Sequence, residues 1–211
     1  MYLAAIGDIH GNLPALQAVL AAIDDAGIQM IVNTGDAVVG HPWPNEVIEL
    51  IRRRNIPSVQ GDLDRRAVHF LRKQETLRRK LSEDEFEALR QTHAALQSHN
   101  LEFLRSLPRH RMLHVEGIDI CVCHGTPTSQ SETLEKEDPP GKFRRVRELT
   151  NAQIVVSGAT HQPFSRTVDG TLFVNPGAVG IAPAGARIAT YAIVDTETDP
   201  WEARIREQAY S

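Results

Sequence analysis

The side chains of this sequence that could do chemistry are acids and imidazoles placed just after short apolar runs. They stand in five motifs, which read Asp8-x-His10, Gly35-Asp36, Gly61-Asp62-Leu63-Asp64, His124-Gly125 and Gly158-Ala159-Thr160-His161. Carboxylate oxygens and imidazole nitrogens together suit divalent transition metals. Several acids in one crevice repel each other unless a cation lies between them. The pattern therefore predicts a metal centre and metal-assisted hydrolysis.

The apolar runs before these motifs have the length and composition of buried strands. They are Leu3–Ile6, Met30–Val32, Ile56–Val59, Ile118–Val122 and Ile154–Val156. In open α/β sheets, ligands bind in the crevice outside the ends of neighbouring parallel strands. We therefore expect the motifs to converge on one place, although they are far apart in the chain.

Residues 1–60 alternate strand and helix signals, which predicts a βαβαβ unit with a parallel sheet. Asn12 can cap the first helix, and Gly27 stands where that helix should end. The second helix is predicted over Asn45–Arg54, and the third strand is predicted to end at Gln60.

The segment from Asp64 to about Leu107 has no strand signal and predicts a helical insertion. A capping-box pattern at Ser82 begins a helix, and apolar residues then recur at helical spacing from Phe86 to Leu107 as one seam. His93 lies on this seam, where we expect a packed histidine rather than a metal ligand. The insertion would either form a lid over the site or mediate a homodimer.

Strand signals return after Pro108. They fall at residues 112–115, 118–122, 154–157, 166–168, 172–174 and 188–194. Asp169-Gly170 predicts a two-residue hairpin. Residues 126–142 contain three prolines and many charges, which indicates a mobile surface loop near His124.

The composition is that of a globular protein, with 211 residues, 41% hydrophobic and 24% charged, and we expect one domain over residues 1–211. The net charge of −4 disfavours nucleic acid as a partner. Cys121 and Cys123 are the only cysteines, and their spacing on one strand indicates buried free thiols and a cytoplasmic location. No apolar stretch is long enough to span a bilayer, so no membrane association is expected.

The ordered set of motifs resembles that of the calcineurin-like metallophosphoesterases, which carry Asp-x-His, Gly-Asp, Gly-Asn-x-Asp, His-Gly and Gly-His-x-His in this order. Phe173–Gly180 is similar to the Asn-Pro-Gly-Ser-Val-Gly segment of their small prokaryotic phosphodiesterase branch. The resemblance spans residues 3 to about 195. It implies an α/β fold, a four-layer α/β/β/α sandwich of two mixed sheets flanked by helices, with a two-metal phosphoesterase centre.

The resemblance also implies roles for individual residues. One metal would be held by Asp8, His10, Asp36 and His161, and the second by Asp36, Asp62 and His124, with Asp36 bridging. Catalytic roles fall to Asp36, Asp64 and His124, with Asp64 orienting His124 or a water, and we expect substrate contacts from Gly11, Asn12 and Arg65. The cofactor would be one or two divalent ions per chain, Mn first, with Fe, Ni, Co and Zn as alternatives.

Three positions depart from the family pattern. Asp62 replaces its asparagine and Ala159 replaces the first histidine of Gly-His-x-His, and both changes fall on the second metal. We expect partial compensation, with Asp62 as a two-oxygen ligand or a water in the vacancy. Leu63 stands where many relatives have a histidine that acts as a general acid.

Two functions from different classes follow from this pattern. The first is a cytoplasmic phosphodiesterase or phosphatase that hydrolyses a small phosphate ester, a nucleotide among the candidates, by attack of metal-activated hydroxide. The alternative is a catalytically degenerate phosphoesterase fold that serves as a binding scaffold with an incomplete second metal site. Ala159 and Leu63 favour the scaffold, whereas the survival of five candidate ligands favours the enzyme. A nuclease is disfavoured because the chain is acidic and the charges of the insertion alternate in sign.

Overall fold

The computed structural model describes residues 1–182, 186–198 and 200–211, which contain nine strands and seven helices. The strands are β1 (Tyr2–Ile6), β2 (Met30–Asn33), β3 (His110–Val115), β4 (Ile118–Cys123), β5 (Ile154–Val156), β6 (Phe164–Val168), β7 (Thr171–Asn175), β8 (Ile188–Asp195) and β9 (Glu202–Ala209). The helices are α1 (Leu13–Asp25), α2 (Pro44–Arg53), α3 (Asp62–Val68), α4 (Phe70–Lys80), α5 (Glu83–Ala95), α6 (Ser98–Ser106) and α7 (Pro140–Thr150). Within these ranges, no helix is both long and apolar enough to cross a bilayer.

The strands form two mixed sheets, as the resemblance implies. The first sheet has the order β2-β1-β8-β9, and only its β1–β2 pair is parallel. The second has the order β3-β4-β5-β7-β6, with β4, β5 and β7 parallel to one another and antiparallel strands at both edges.

Alternation along the strands divides the apolar side chains among three core regions, because successive residues point to opposite faces of a sheet. Leu3 and Ala5 of β1 pack between the sheets against residues such as Val122 of β4. Ala4 and Ile6 face the other way, into a core with α1 and the insertion. Cys121, Cys123 and Val155 face α7, where Phe143 is fully buried. Helices, sheet, sheet and helix therefore lie in four layers, and both cysteines are buried free thiols, as predicted.

The predicted third strand, Ile56–Val59, is reduced to one bridge between Ser58 and Asn33. Two main-chain hydrogen bonds join this segment to Asn33, from the Val59 amide and to the Pro57 carbonyl, and Pro57 has no N–H to extend the ladder. The segment nevertheless runs parallel to β2 and delivers Gly61 and Asp62 to the same edge. In contrast, β9 was not predicted, because charged residues at four of its eight positions hide the weak alternation of Ala203 and Ile205.

The helical insertion is present, but its apolar seam lies on two helices rather than one. The chain is extended at Leu96 and Gln97, between α5 and α6. Asn45 satisfies both helix ends at the break: its amide nitrogen donates to the Ala95 carbonyl at 2.8 Å, and its oxygen accepts from the Gln97 N–H at 2.9 Å. His93 is packed and hydrogen-bonded through Nδ1 to the Ala67 carbonyl at 2.8 Å, as expected for a histidine on the seam.

The seam faces the protomer's own core. Phe86, Leu89 and Leu104 are buried there together with Phe70 of α4. The apolar surface on which the homodimer prediction was based is therefore already covered, and the homodimer stays a prediction.

Candidate metal centre

The loops after β1 and β2 of the first sheet and those after β4 and β5 of the second meet at one end of the two sheets, where main-chain hydrogen bonds join neighbouring loops. The Asp8 amide donates to the Gly35 carbonyl at 2.9 Å, and the Gly158 amide donates to the His124 carbonyl at 2.7 Å. The convergence predicted from the sequence is therefore present. Asp8, His10, Asp36 and His124 are buried there, and His161 is half-buried.

The first group of donors is built around Asp8. His10 Nδ1 donates to the Val39 carbonyl at 2.9 Å, which leaves the lone pair on Nε2 directed into the centre. His161 Nε2 lies 3.2 Å from that nitrogen and 3.5 Å from Asp8 Oδ1. Asp8 Oδ2 accepts the Ala159 amide at 3.1 Å, whereas buried Oδ1 has no hydrogen bond from any described residue.

The second group is built around His124. Its Nδ1 donates to the Thr34 carbonyl at 2.9 Å, so Nε2 is the nitrogen that faces the centre. That nitrogen faces Asp36 Oδ2 at 3.4 Å and Asp62 Oδ1 at 3.9 Å. Asp36 Oδ1 is occupied by the amide of Leu63 at 2.9 Å.

These donors fit divalent cations. Asp8, His10 and His161 offer ligand atoms within 4.8 Å of one another, and so do Asp8, Asp36 and His124. Lone pairs and carboxylates that face each other in a buried space need a proton or a cation between them, and the orphaned Asp8 Oδ1 shows the same need. The set of oxygen and nitrogen ligands suits Mn, Fe, Co, Ni or Zn.

The structure brings together five of the six predicted ligands. Asp8 belongs to both groups, whereas the resemblance implied that Asp36 is the shared residue. Asp62 lies outside both groups, with one oxygen turned away to Arg66 at 2.7 Å. Two-oxygen ligation by Asp62 stays a prediction, since in this arrangement one of its oxygens contacts Arg66.

Without a bound metal, burial and neighbouring charges shift the pKa values of the side chains in the centre. Burial opposes ionisation of both groups, but the contact between Asp36 and His124 outweighs it, lowering the pKa of Asp36 to about 2 and raising that of His124 to about 10. Burial lowers the pKa of His10 below its ordinary value. The contact with Asp8 raises the pKa of His161.

Four of the ligand positions have left-handed backbone, which is rare for residues other than glycine. The φ angles are 51° at Asp8, 52° at His10, 51° at Asp36 and 58° at His161. Such conformations cost on the order of 1–3 kcal/mol each and are concentrated at functional sites. Among the six predicted ligands, those with this strained backbone are thus the four that the resemblance assigns to the first metal.

Asp64 organises the loops rather than orienting a histidine. Its Oδ1 accepts the amides of Ala37 and Val38 at 3.0 and 3.2 Å, and its Oδ2 accepts the Gly61 amide at 3.0 Å. Burial and the charge of Asp36 raise the pKa of Asp64 to about 7. The Thr34 carbonyl orients His124 instead, and the Val39 carbonyl orients His10. Sequence reasoning missed both because a main-chain acceptor leaves no residue signature.

Replacing Asp64 with asparagine is expected to destabilise the protein. An amide can supply one acceptor oxygen but not two, so at least one of the three buried N–H groups loses its partner. Such a loss costs about 1–3 kcal/mol. Urea denaturation at pH 8, above the raised pKa, would measure it against Asp119→Asn as an exposed control. An unchanged midpoint would contradict this role.

The other predicted contacts lie close to the centre. Asn12 is buried; its Oδ1 accepts the Ala15 amide, and its Nδ2 lies 3.2 Å from both the Gly180 carbonyl and the Tyr210 hydroxyl. Gly11 has φ +72°, and a Cβ there would lie 2.6 Å from the His41 carbonyl oxygen. Both residues thus have structural tasks, and substrate contact stays a prediction for them and for Arg65. The Arg65 Nε is buried without a hydrogen bond to any described residue.

Comparison with known proteins supports the family that the sequence motifs resemble. A sequence model of the calcineurin-like phosphoesterase superfamily domain matches residues 1–199. Uncharacterized protein MJ0912 of Methanocaldococcus jannaschii is 30% identical over 214 residues, covering 92% of this chain and 82% of that protein.

Two solved structures are similar over the whole chain. A hypothetical protein, PH1004, from Pyrococcus horikoshii OT3 has a TM-score of 0.87 and 24% identity, covering 100% of this chain and 88% of the other. A metallophosphoesterase from Sphaerobacter thermophilus has a TM-score of 0.77 and 26% identity, with coverages of 100% and 90%. With the family match spanning nearly its full length, the chain belongs to the calcineurin-like phosphoesterase superfamily.

Proposed function

We propose that this protein is a metal-dependent phosphoesterase that hydrolyses a small phosphate ester, with Mn²⁺ as its first-choice ion and a nucleotide among the candidate substrates. The observation that carries the proposal is the pair of overlapping donor groups around buried Asp8. In these groups, imidazole nitrogens and carboxylate oxygens face one another at 3.2–3.5 Å in a buried space. The buried free thiols of Cys121 and Cys123 support a reducing, cytoplasmic location.

The residues of the chain would divide the work as follows. Asp8, His10 and His161 would hold one cation, and Asp8, Asp36 and His124 a second. Bound cations would supply Lewis acidity and activate the attacking water. The main-chain carbonyls of Val39 and Thr34 fix both histidine rings, so little reorganisation is needed when a phosphoryl group enters.

Leu63 cannot protonate a leaving group, because it is an apolar side chain packed against the core. Esters whose leaving group needs little protonation should therefore be the better substrates. A phenolate such as p-nitrophenolate meets this condition.

Hydrolysis of bis(p-nitrophenyl) phosphate and of p-nitrophenyl phosphate tests the proposal. Metal-free protein would be assayed with Mn²⁺, Ni²⁺ or Co²⁺ added, and again after EDTA. We expect turnover that requires a metal and stops on chelation. If no metal supports turnover of either ester, the proposal of an enzyme is wrong, and a binding scaffold is the function that remains.

The scaffold is the second candidate, and one observation favours it. Asp62 lies outside both donor groups, and Ala159 supplies no imidazole, so one side of the centre has fewer ligands than the family pattern. A centre that binds metal but turns over no ester would support this function.

Replacing Ala159 with histidine is expected to strengthen the second cation site. Ala159 has φ 70°, a conformation that histidine tolerates better than most residues, and its amide already contacts Asp8 Oδ2. The restored imidazole should raise the tightly bound Mn²⁺ from about one to about two ions per chain. Equilibrium dialysis with metal analysis would measure the change. Two tightly bound ions in both proteins would refute a weakened site.

A further inference from the structure

An arginine one helical turn along α3 contacts Asp62, a residue that departs from the family pattern. Asp62 is the first residue of α3, and Arg66 stands four positions later on the same face. The guanidinium lies 2.7 Å from Asp62 Oδ2. The Asp62 side chain is 18% exposed and that of Arg66 is 32% exposed. The ion pair is therefore partly shielded from solvent, where such contacts are stronger than on an open surface.

The other carboxylate oxygen points at the metal centre. Asp62 Oδ1 lies 3.9 Å from His124 Nε2, the nitrogen that Asp36 Oδ2 approaches to 3.4 Å. Asp62 thus offers one oxygen to the centre, while Arg66 occupies the second. Without Arg66, both oxygens could turn towards a cation.

The pair also balances charge. Asparagine in the family pattern is neutral, so Asp62 adds one negative charge beside Asp36 and Asp8. Arg66 adds one positive charge in contact with it, and the local sum returns to that of a neutral residue. An anionic phosphate would meet less repulsion there than an uncompensated aspartate would cause.

We propose that Arg66 is a positioning residue for the second cation site, which makes Asp62 a charge-compensated ligand with one available oxygen. The inference rests on the proposed function, because it assumes that cations bind at this centre. It explains how the chain carries an acid at position 62 without overloading the site with negative charge. Arg66 acts through Asp62 and needs no contact with substrate.

Titration calorimetry of metal-free protein with Mn²⁺ tests this role without an activity assay. The set comprises wild type, Arg66→Gln, Asp62→Asn and the double variant, with Arg72→Gln as a control that removes an exposed arginine elsewhere in the insertion. Freed from Arg66, Asp62 should bind the weaker of the two ions about tenfold more tightly, because a second oxygen and an uncompensated charge become available. In the Asp62→Asn background, Arg66→Gln should change the affinity less than about twofold.

A second readout follows coordination directly. With Co²⁺ as the probe, an added carboxylate oxygen in Arg66→Gln should lower the visible absorption, since higher coordination numbers absorb more weakly. Arg72→Gln should match wild type in both measurements. Thermal melts of all variants would show that each is folded.

Three results would overturn the inference. They are that Arg66→Gln behaves as Arg72→Gln does, that it binds Mn²⁺ more weakly than wild type, or that it tightens binding equally when Asp62 is asparagine. The last result would make Arg66 only a nearby charge. If wild type binds Mn²⁺ and hydrolyses ester, these outcomes refute the role of Arg66 alone. If wild type binds no cation, both this inference and the proposed function fail.

Discussion

Asp36→Asn is expected to lower kcat/KM for bis(p-nitrophenyl) phosphate by about a thousandfold or more, because a ligand charge at the reacting centre is lost. The fold should survive. Asparagine keeps the shape of the side chain, its oxygen can accept the Leu63 amide as Asp36 does, and its NH₂ can donate to His124 Nε2. What disappears is the negative charge that would help hold a cation beside His124.

Steady-state kinetics and metal analysis of the purified variant would check this result. Asp119→Asn serves as the matched control, because Asp119 lies on β4 with an exposed side chain paired to His114, away from the centre. The control should retain wild-type activity and metal content. Activity of Asp36→Asn within tenfold of wild type would remove Asp36 from the catalytic centre.

Removal of metal is expected to produce the largest change in stability. Without cations, buried Asp8 and Asp36 repel each other, and Asp8 Oδ1 has no described hydrogen-bond partner. A ligand at a hundred times its Kd stabilises the folded state by about 2.7 kcal/mol per site. For a chain of this size, that corresponds to a rise in Tm of about 5–10 °C.

Differential scanning calorimetry with EDTA and with excess Mn²⁺ would measure the difference. Asp36→Asn should gain less than wild type from added Mn²⁺, because one ligand charge is gone. Equal Tm values for wild type with EDTA and with Mn²⁺ would mean that the donor groups bind no ion.

The sequence predicts the convergence of the site well because strand ends and acidic loops are local signals. The apolar runs before Asp8 and His124 were sufficient to predict that the two residues meet, although β1 and β4 belong to different sheets. The helix break at Leu96 was missed because Asn45, whose side chain satisfies the two helix ends there, lies far away in the chain. The role of Asp64 was missed for a related reason, since its carboxylate accepts hydrogen bonds from three backbone amides, and backbone amides leave no signature in the residue types.

For the candidate ligands too, the sequence predicts the residues but not the orientation of every side chain. Residue types identified Asp8, His10, Asp36, His124 and His161, but they could not show that Asp62 turns one oxygen away. That orientation depends on Arg66, whose i+4 spacing is visible in the sequence but common to many solvent-exposed helical pairs. Only the position of His124 reveals which oxygen is left for the centre.

The left-handed backbone at Asp8, His10, Asp36 and His161 should limit which residues these positions accept in directed evolution of this protein. Valine, isoleucine and threonine should be depleted at these four codons in a library selected only for folding, because β-branched side chains clash in that conformation. Glycine and asparagine should persist. A mutational scan selected only for folding would therefore show few tolerated substitutions at these four positions. Comparing it with a scan selected for turnover would separate the residues needed for the backbone conformation from those needed for the chemistry.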